Sequence, residues 1–408
     1  MPTTNNKQQT TNNQQPIYLD GHATTPMDRR VLEAMLPYFT ERFGNPSSIT
    51  HAYGWEAEAA VKQARQIVAH TIGANPEEII FTSSATEANN LAIKGVAEAY
   101  FQKGKHIITV ETEHRAVLDP CKYLQTLGFE VTFLPVQPDG LLDLTELKQA
   151  IRADTILVSV MAANNEIGVL QPLALIGEIC RQREVLFHTD AAQAVGKIPL
   201  DVETMNVDLM SLTAHKVYGP KGIGALYLRR RNPRVKLASQ IQGGGQERGK
   251  RAGTLYTPQI VGFAKALELA LAELKSESER LTHLRERLWS QLSKLPGIYL
   301  NGDGKNRLPG NLNVSIEGLD GSALLLGLQP VVALSSGSAC SSASMAPSHV
   351  LLALGHPESL AYASLRFGIG RFNTVEEIDR VAEEAIATIV ALRQARGFHC
   401  QEITSRIN

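Results

Sequence analysis

Between residues 28 and 230 the apolar positions switch repeatedly between two periods. Short apolar runs at Glu78 to Phe81, His106 to Val110, Glu130 to Phe133, Thr155 to Val160 and Val185 to His188 are predicted as strands. Between them lie stretches with helical apolar spacing, such as Trp55 to Ala69 and Leu173 to Arg183. Alternation of this kind predicts an α/β fold in which a mainly parallel sheet is covered by helices. A long helical pattern follows from about Pro258 to Leu295, apolar at Val261-Gly262-Phe263-Ala264 and strongly charged from Lys275 to Arg287. Such a shift suits a helix that leaves one domain and enters another. Beyond it, Asn311 to Ile316 and Ser364 to Ile369 read as strands and Val375 to about Arg396 as a closing helix, together a smaller α+β domain. The expected organisation is a polar tail at 1–16, a large domain at 26–275, and a small domain made of 17–25 with 276–408. No internal repeat is visible.

Composition narrows the class. A chain of 408 residues with 43% hydrophobic and 20% charged residues has the make-up of an ordinary globular protein large enough for two domains. Lys+Arg at 40 against Asp+Glu at 41 gives a net charge of -1, so no global basic field argues for direct contact with nucleic acid. Arg229-Arg230-Arg231 is read as a solvated turn after the strand Ala225 to Leu228. Residues 1–16, rich in Asn, Gln and Thr, have too little apolar surface to offset ordering and are expected to be disordered. They lack the apolar core of a secretory signal and the Arg-rich pattern of a transit peptide. No run is long and apolar enough for a membrane span. Cys121, Cys180, Cys340 and Cys400 show no close pairing, which points to a reducing compartment, by default the cytoplasm, with neither a disulfide framework nor a metal site. Cys121 and Cys180 fall in amphipathic helices and read as small core hydrophobes.

Candidate chemistry centres on His188-Thr189-Asp190 and, downstream, Thr213-Ala214-His215-Lys216. Asp190 follows an apolar strand and should lie at the carboxyl edge of the sheet, where open α/β folds bind ligands. Lys216 has the turn Gly219-Pro220-Lys221-Gly222 behind it. An acid able to keep a pyridinium nitrogen charged, followed by a lysine able to form a Schiff base, is the pair that pyridoxal phosphate chemistry needs. Either residue alone is more often merely solvated. Ser83 to Asn90 opens a helix after a strand and offers backbone N–H groups to a phosphate, although an ordinary hydroxyl cap has the same appearance. His114, in a loop after a strand, could stack on a ring and move protons as a catalytic residue, or serve as a structural histidine. Asn164 and Asn165 could orient a ring hydroxyl or a substrate carboxylate, and turn chemistry explains them equally well. The glycine-rich basic loop Gly243 to Thr254 reads either as a linker or as a phosphate contact. Ser335 to Ser344 surrounds Cys340 with small residues, which suits a mobile, accessible thiol. Arg366 sits inside an apolar strand and needs a partner, either a substrate carboxylate or a structural acid.

Taken together, these motifs resemble the cysteine desulfurases of the NifS/IscS type, which belong to the class V, fold-type I pyridoxal 5'-phosphate enzymes. The resemblance runs from Tyr18-Leu19-Asp20 to about Arg371. It is most specific at Ser83 to Asn90, Thr112-Glu113-His114, Asn164 to Gly168, His215 to Gly222 and Ser335 to Ser344. It implies that Lys216 holds the cofactor and moves the Cα proton, and that Asp190 pairs with the ring nitrogen. Gln193 would pair with the ring hydroxyl, His114 would stack on the ring and Asn165 would sit beside it. Ala85, Thr86, Thr213 and His215 would hold the phosphate, with Thr254 reaching over from the other subunit of a homodimer. Asn164 and Arg366 would hold the carboxylate of L-cysteine, and Cys340 would take the sulfur as a persulfide, leaving L-alanine. An iron-sulfur scaffold or another sulfur acceptor would then receive it. Thr213 stands where a serine is frequent, and Gly21-His22 where other residues are usual. A selenocysteine lyase or cysteine-sulfinate enzyme, an aminotransferase and a non-catalytic sulfur-relay protein are the rival readings.

Overall fold

The computed structural model describes residues 15–336 and 347–395. Strand β1 (Ile17–Tyr18) precedes the strands of the main sheet: β2 (Ile79–Thr82), β3 (His106–Val110), β4 (Glu130–Leu134), β5 (Thr155–Ser159), β6 (Leu186–Asp190), β7 (Leu209–Thr213) and β8 (Gly224–Leu228). Their order is β2-β8-β7-β6-β5-β3-β4. Only β8 runs against its neighbours, and the remaining pairs are parallel. Every residue of β3, β5, β6, β7 and β8 is buried, as expected of strands covered on both faces. Successive side chains serve opposite cores. Phe187, Met210 and Tyr227 pack on one side of the sheet, while Leu186, Leu209 and Leu226 pack on the other. His188 bridges three strands, with Nδ1 2.8 Å from Ser159 Oγ and Nε2 3.0 Å from Ser211 Oγ.

A second, antiparallel sheet holds β9 (Ile298–Leu300), β10 (Asn311–Ile316) and β12 (Ser364–Gly368) in the order β12-β10-β9. The short β11 (Val332–Ala333) pairs in parallel with β1. The 36-residue helix Thr257–Leu292 serves both regions. Ile260, Phe263 and Leu267 enter the main core, whereas Leu281, Leu284 and Leu288 enter a core built on β10, β12 and the helix Val375–Ala395. Leu19 belongs to that second core, which ties the segment before the main sheet to the far end of the chain.

Cys121 and Cys180 are buried free thiols inside the helices Arg115–Thr126 and Leu173–Gln182, and burial pushes both thiols well up. The arginine run is not wholly a solvated turn. Arg230 and Arg231 are exposed, but Arg229 is buried. Lying directly after β8, it meets the loop before β7, where it bonds Glu203 at 2.9 Å, Asp208 at 3.2 Å and the carbonyl of Val202. Most of the expected polar tail, together with Cys340 and Cys400, lies outside the described residues.

Candidate active site

The carboxyl ends of β2, β6 and β7 converge on one cavity. After β2, Ser84 caps the helix Ala85–Ala99 by accepting from Glu87 N at 3.1 Å. The first turn of any helix has N–H groups without intrahelical partners, and here those of Ala85 and Thr86 border the cavity. Glu87 would compete with an anion, but its carboxylate pairs with Arg251 at 2.7 Å and with Ser83 N at 2.8 Å. β6 ends at Asp190, which is 5% exposed. Its Oδ2 accepts from Asn89 Nδ2 at 2.6 Å and its Oδ1 from Ala192 N at 2.9 Å, so the carboxylate is held in one orientation.

β7 leads into Ala214, His215 and Lys216. Thr25 braces this turn, since its hydroxyl donates to His215 O at 3.0 Å and accepts from Tyr218 N at 2.8 Å. Tyr218 holds the left-handed conformation, φ +62°, which is uncommon for a bulky side chain. Lys216 Nζ donates to Ala23 O at 2.7 Å and to His22 O. His215 Nδ1 lies 3.2 Å from Thr24 Oγ1, and burial, with Lys216, Lys221 and Lys197 nearby, lowers its pKa to about 4. On the opposite wall His114 caps the helix Arg115–Thr126. Its Nδ1 accepts from Ala116 N at 3.0 Å, which leaves the proton of the neutral ring on Nε2.

The cavity has a volume of about 260 Å³ and is lined by His114, Asp190, Gln193 and Lys216, with Asn165 and Ala85, Thr86, Thr213 and His215 around them. Three other expected site residues lie elsewhere. Asn164 is spent on the turn after β5: its Oδ1 accepts from Glu166 N and Ile167 N, and its Nδ2 donates to Thr112 O. Arg366 is fully buried and takes the structural partner, bonding Asp20 at 2.9 Å and the carbonyl of Asn165 at 3.0 Å. It thus buttresses a residue of the cavity wall. Thr254 is exposed at the end of the glycine-rich loop. Glu247 pins that loop to the body through Arg65 and Phe81 N. Cys340 lies outside the described residues.

Sequence reasoning missed three groups. Asn89, fully buried, orients Asp190. Glu113 Oε1 accepts from Met161 N at 2.5 Å, and burial, with Asp190 near, pushes its carboxyl well above the usual range. His22 packs behind Gln193.

The model of the aminotransferase class-V family matches residues 17–381, and the chain belongs to that family of pyridoxal phosphate enzymes. It is 58% identical over 380 residues to a cysteine desulfurase of Mus musculus, which covers 93% of this chain and 82% of the relative. Among solved structures, a NifS-like protein superposes with a TM-score of 0.86 at 39% identity, covering 93% of this chain and 100% of the other. A second, SspA in complex with cysteine, gives 0.78 at 40% identity over 88% of this chain and 100% of the other. Within the family this chain is a cysteine desulfurase of the NifS/IscS type, with the fold-type I architecture.

The cavity fits the cofactor of that family. One cavity brings together an amine, an acid fixed at the sheet edge, a histidine and a helix N-terminus suited to a phosphate.

Proposed function

We propose that this cavity removes sulfur from L-cysteine, with Lys216 and Asp190 as its chemical poles and Cys340 as the sulfur acceptor. When bound, pyridoxal phosphate supplies the electron sink that makes bonds at the substrate's Cα and Cβ breakable. The observation that carries the reading is the placement of Lys216, Asp190 and His114 on one cavity beside a helix N-terminus.

Each residue's task follows from its surroundings. Asp190, fixed by Asn89 and the Ala192 amide, presents negative charge to a ring nitrogen and keeps that nitrogen protonated. The main-chain N–H groups of Ala85 and Thr86, the hydroxyl of Thr213 and the imidazole of His215 face the phosphate, joined by Thr254 of the partner subunit. His114 offers a ring face and its Nε2–H, while Asn165 lines the cavity beside it. Gln193 donates to the ring hydroxyl. Lys216 takes the Cα proton and returns a proton to the product. Arg366 and Asn164 act on the substrate side indirectly, Arg366 by holding the Asn165 carbonyl and Asn164 by fixing the turn that carries Asn165.

Cys340 attacks as a thiolate. Its sulfur bonds to the substrate sulfur, the substrate Cβ–S bond breaks and its electrons stay with the carbon. Protonation of that carbon yields L-alanine and leaves a persulfide on Cys340. A protein acceptor then takes the outer sulfur for iron-sulfur cluster assembly or another thio-cofactor. A homodimer is supported by an apolar surface that includes Phe39 beside Tyr256 and Phe43 stacked on Tyr53 at 5.4 Å, with Phe43 63% exposed. No described helix is long and apolar enough to cross a membrane. We place the enzyme in the cytoplasm, a reducing compartment that suits its buried free thiols.

Borohydride reduction of the holoenzyme followed by peptide mapping tests the lysine. The cofactor label is expected on the peptide that carries Lys216, and a label on Lys197 or Lys221 would reject the assignment.

A further inference from the structure

Gln193 borders the cavity, yet most of its amide is committed behind it. Nε2 donates to the main-chain carbonyl of His22 at 2.8 Å. Oε1 lies 3.2 Å from Lys197 Nζ and 3.2 Å from His22 Nδ1. A carbonyl can only accept, so the contact with His22 O fixes which end of the amide is nitrogen. The oxygen end then faces His22 Nδ1, and that ring nitrogen must carry the proton.

The surroundings of His22 agree with a neutral ring. Burial first, and then the cations Lys197, Arg366 and Lys216, hold its pKa well below the ordinary value. Arg366 is itself paired with Asp20, and Glu277 faces Lys197. The ring is buried, 4% exposed, and Gly368 leaves it space, since a Cβ added there would come to 3.0 Å from His22 Cδ2. The small space lined by His22, Lys197 and Glu277 measures about 30 Å³, room for a water and too little for a second ligand. Lys216 Nζ donates to the same His22 carbonyl as Gln193.

We propose that His22 is a positioning residue that clamps the Gln193 amide from both ends, so that the only polar group Gln193 can turn to the cavity is its second N–H. An amide held in this way offers the cofactor's ring oxygen a donor and no acceptor. It therefore favours that oxygen as an anion. The inference rests on the reading of Gln193 as the partner of the ring hydroxyl.

The test follows the visible absorption of the bound cofactor as pH is varied. In Gln193→Ala the midpoint is expected to rise by about one pH unit, the scale of one hydrogen bond to a charged oxygen. In His22→Asn, whose amide nitrogen can take the place of Nδ1, the midpoint should stay with the wild type. His22→Leu should move in the same direction but less far, because the main-chain carbonyl of residue 22 and Lys197 still hold the amide. A shift in Gln193→Ala with none in His22→Leu overturns the clamp but spares the role of Gln193. No shift in either overturns both. Nitrogen-15 spectra of the wild-type holoenzyme need no variant: an Nδ1–H signal for His22 near neutral pH supports the proposal, and an Nε2–H tautomer or an imidazolium overturns it.

Discussion

Asp190 shows how little of a site is one residue. Its carboxylate can hold a ring nitrogen protonated only if it keeps its charge and its aim, and both oxygens depend on neighbours. Asn89 Nδ2 and the Ala192 amide supply those contacts at 2.6 and 2.9 Å. A hydrogen bond to a charged group is worth about 1.5–3 kcal/mol. Asn89→Ala should therefore lower kcat by about ten- to a hundredfold while the cofactor's absorption remains, and an unchanged kcat would contradict this. Asp190 and Lys216 were legible in the sequence because an apolar strand ends at one and a constrained turn carries the other. Asn89 and His22 were not. Inward-facing polar residues look like surface residues until the packing around them is known. Asn164 and Arg366 were legible as unusual residues, but their contacts are with a turn and with Asp20.

At the scale of elements, the sheet edge and the helix N-termini do the positioning. The strands of the main sheet could be read because uninterrupted apolar runs alternate with helical spacing. The two-residue β1 and β11 could not, because pairing of such short pieces depends on the fold around them. Arg229 was misread for a related reason: its partners Glu203 and Asp208 come from the loop before a neighbouring strand. Removing the cap in Ser84→Ala should cost about 1 kcal/mol of stability and weaken cofactor retention, as measured by chemical unfolding and by dialysis. The stitch across β5, β6 and β7 predicts a pH dependence. His188 is buried neutral, with its pKa lowered to about 3 from an ordinary 6.5. Its contribution is complete above the unfolded value and is lost as pH falls from about 6.5 toward 3, by up to about 1.4 kcal/mol per unit. Urea midpoints should fall between neutral pH and pH 5, and less steeply in His188→Gln. An identical slope would remove His188 from the explanation.

At the scale of the whole molecule, the helix Thr257–Leu292 joins two cores, and Leu19 ties the segment before the main sheet to the second. That segment continues through His22 and Ala23, whose carbonyls receive Lys216. Movement between the cores would thus reach the cavity directly. If the exposed aromatic surface at Phe43 and Tyr53 is the proposed dimer interface, a Phe43→Glu/Tyr53→Glu variant sediments as a monomer and retains cofactor poorly, because the proposed contact of Thr254 of the partner subunit is lost. A dimeric variant with normal retention would place the interface elsewhere. The central claim, desulfuration through Cys340, is tested most directly by measuring L-alanine and sulfide from L-cysteine with a reductant, in the wild type and in Cys340→Ala. The account predicts equal amounts of the two products from the wild type, and loss of both in the variant with cofactor absorbance intact. Full turnover by Cys340→Ala would contradict it and would move a lyase or aminotransferase reading ahead.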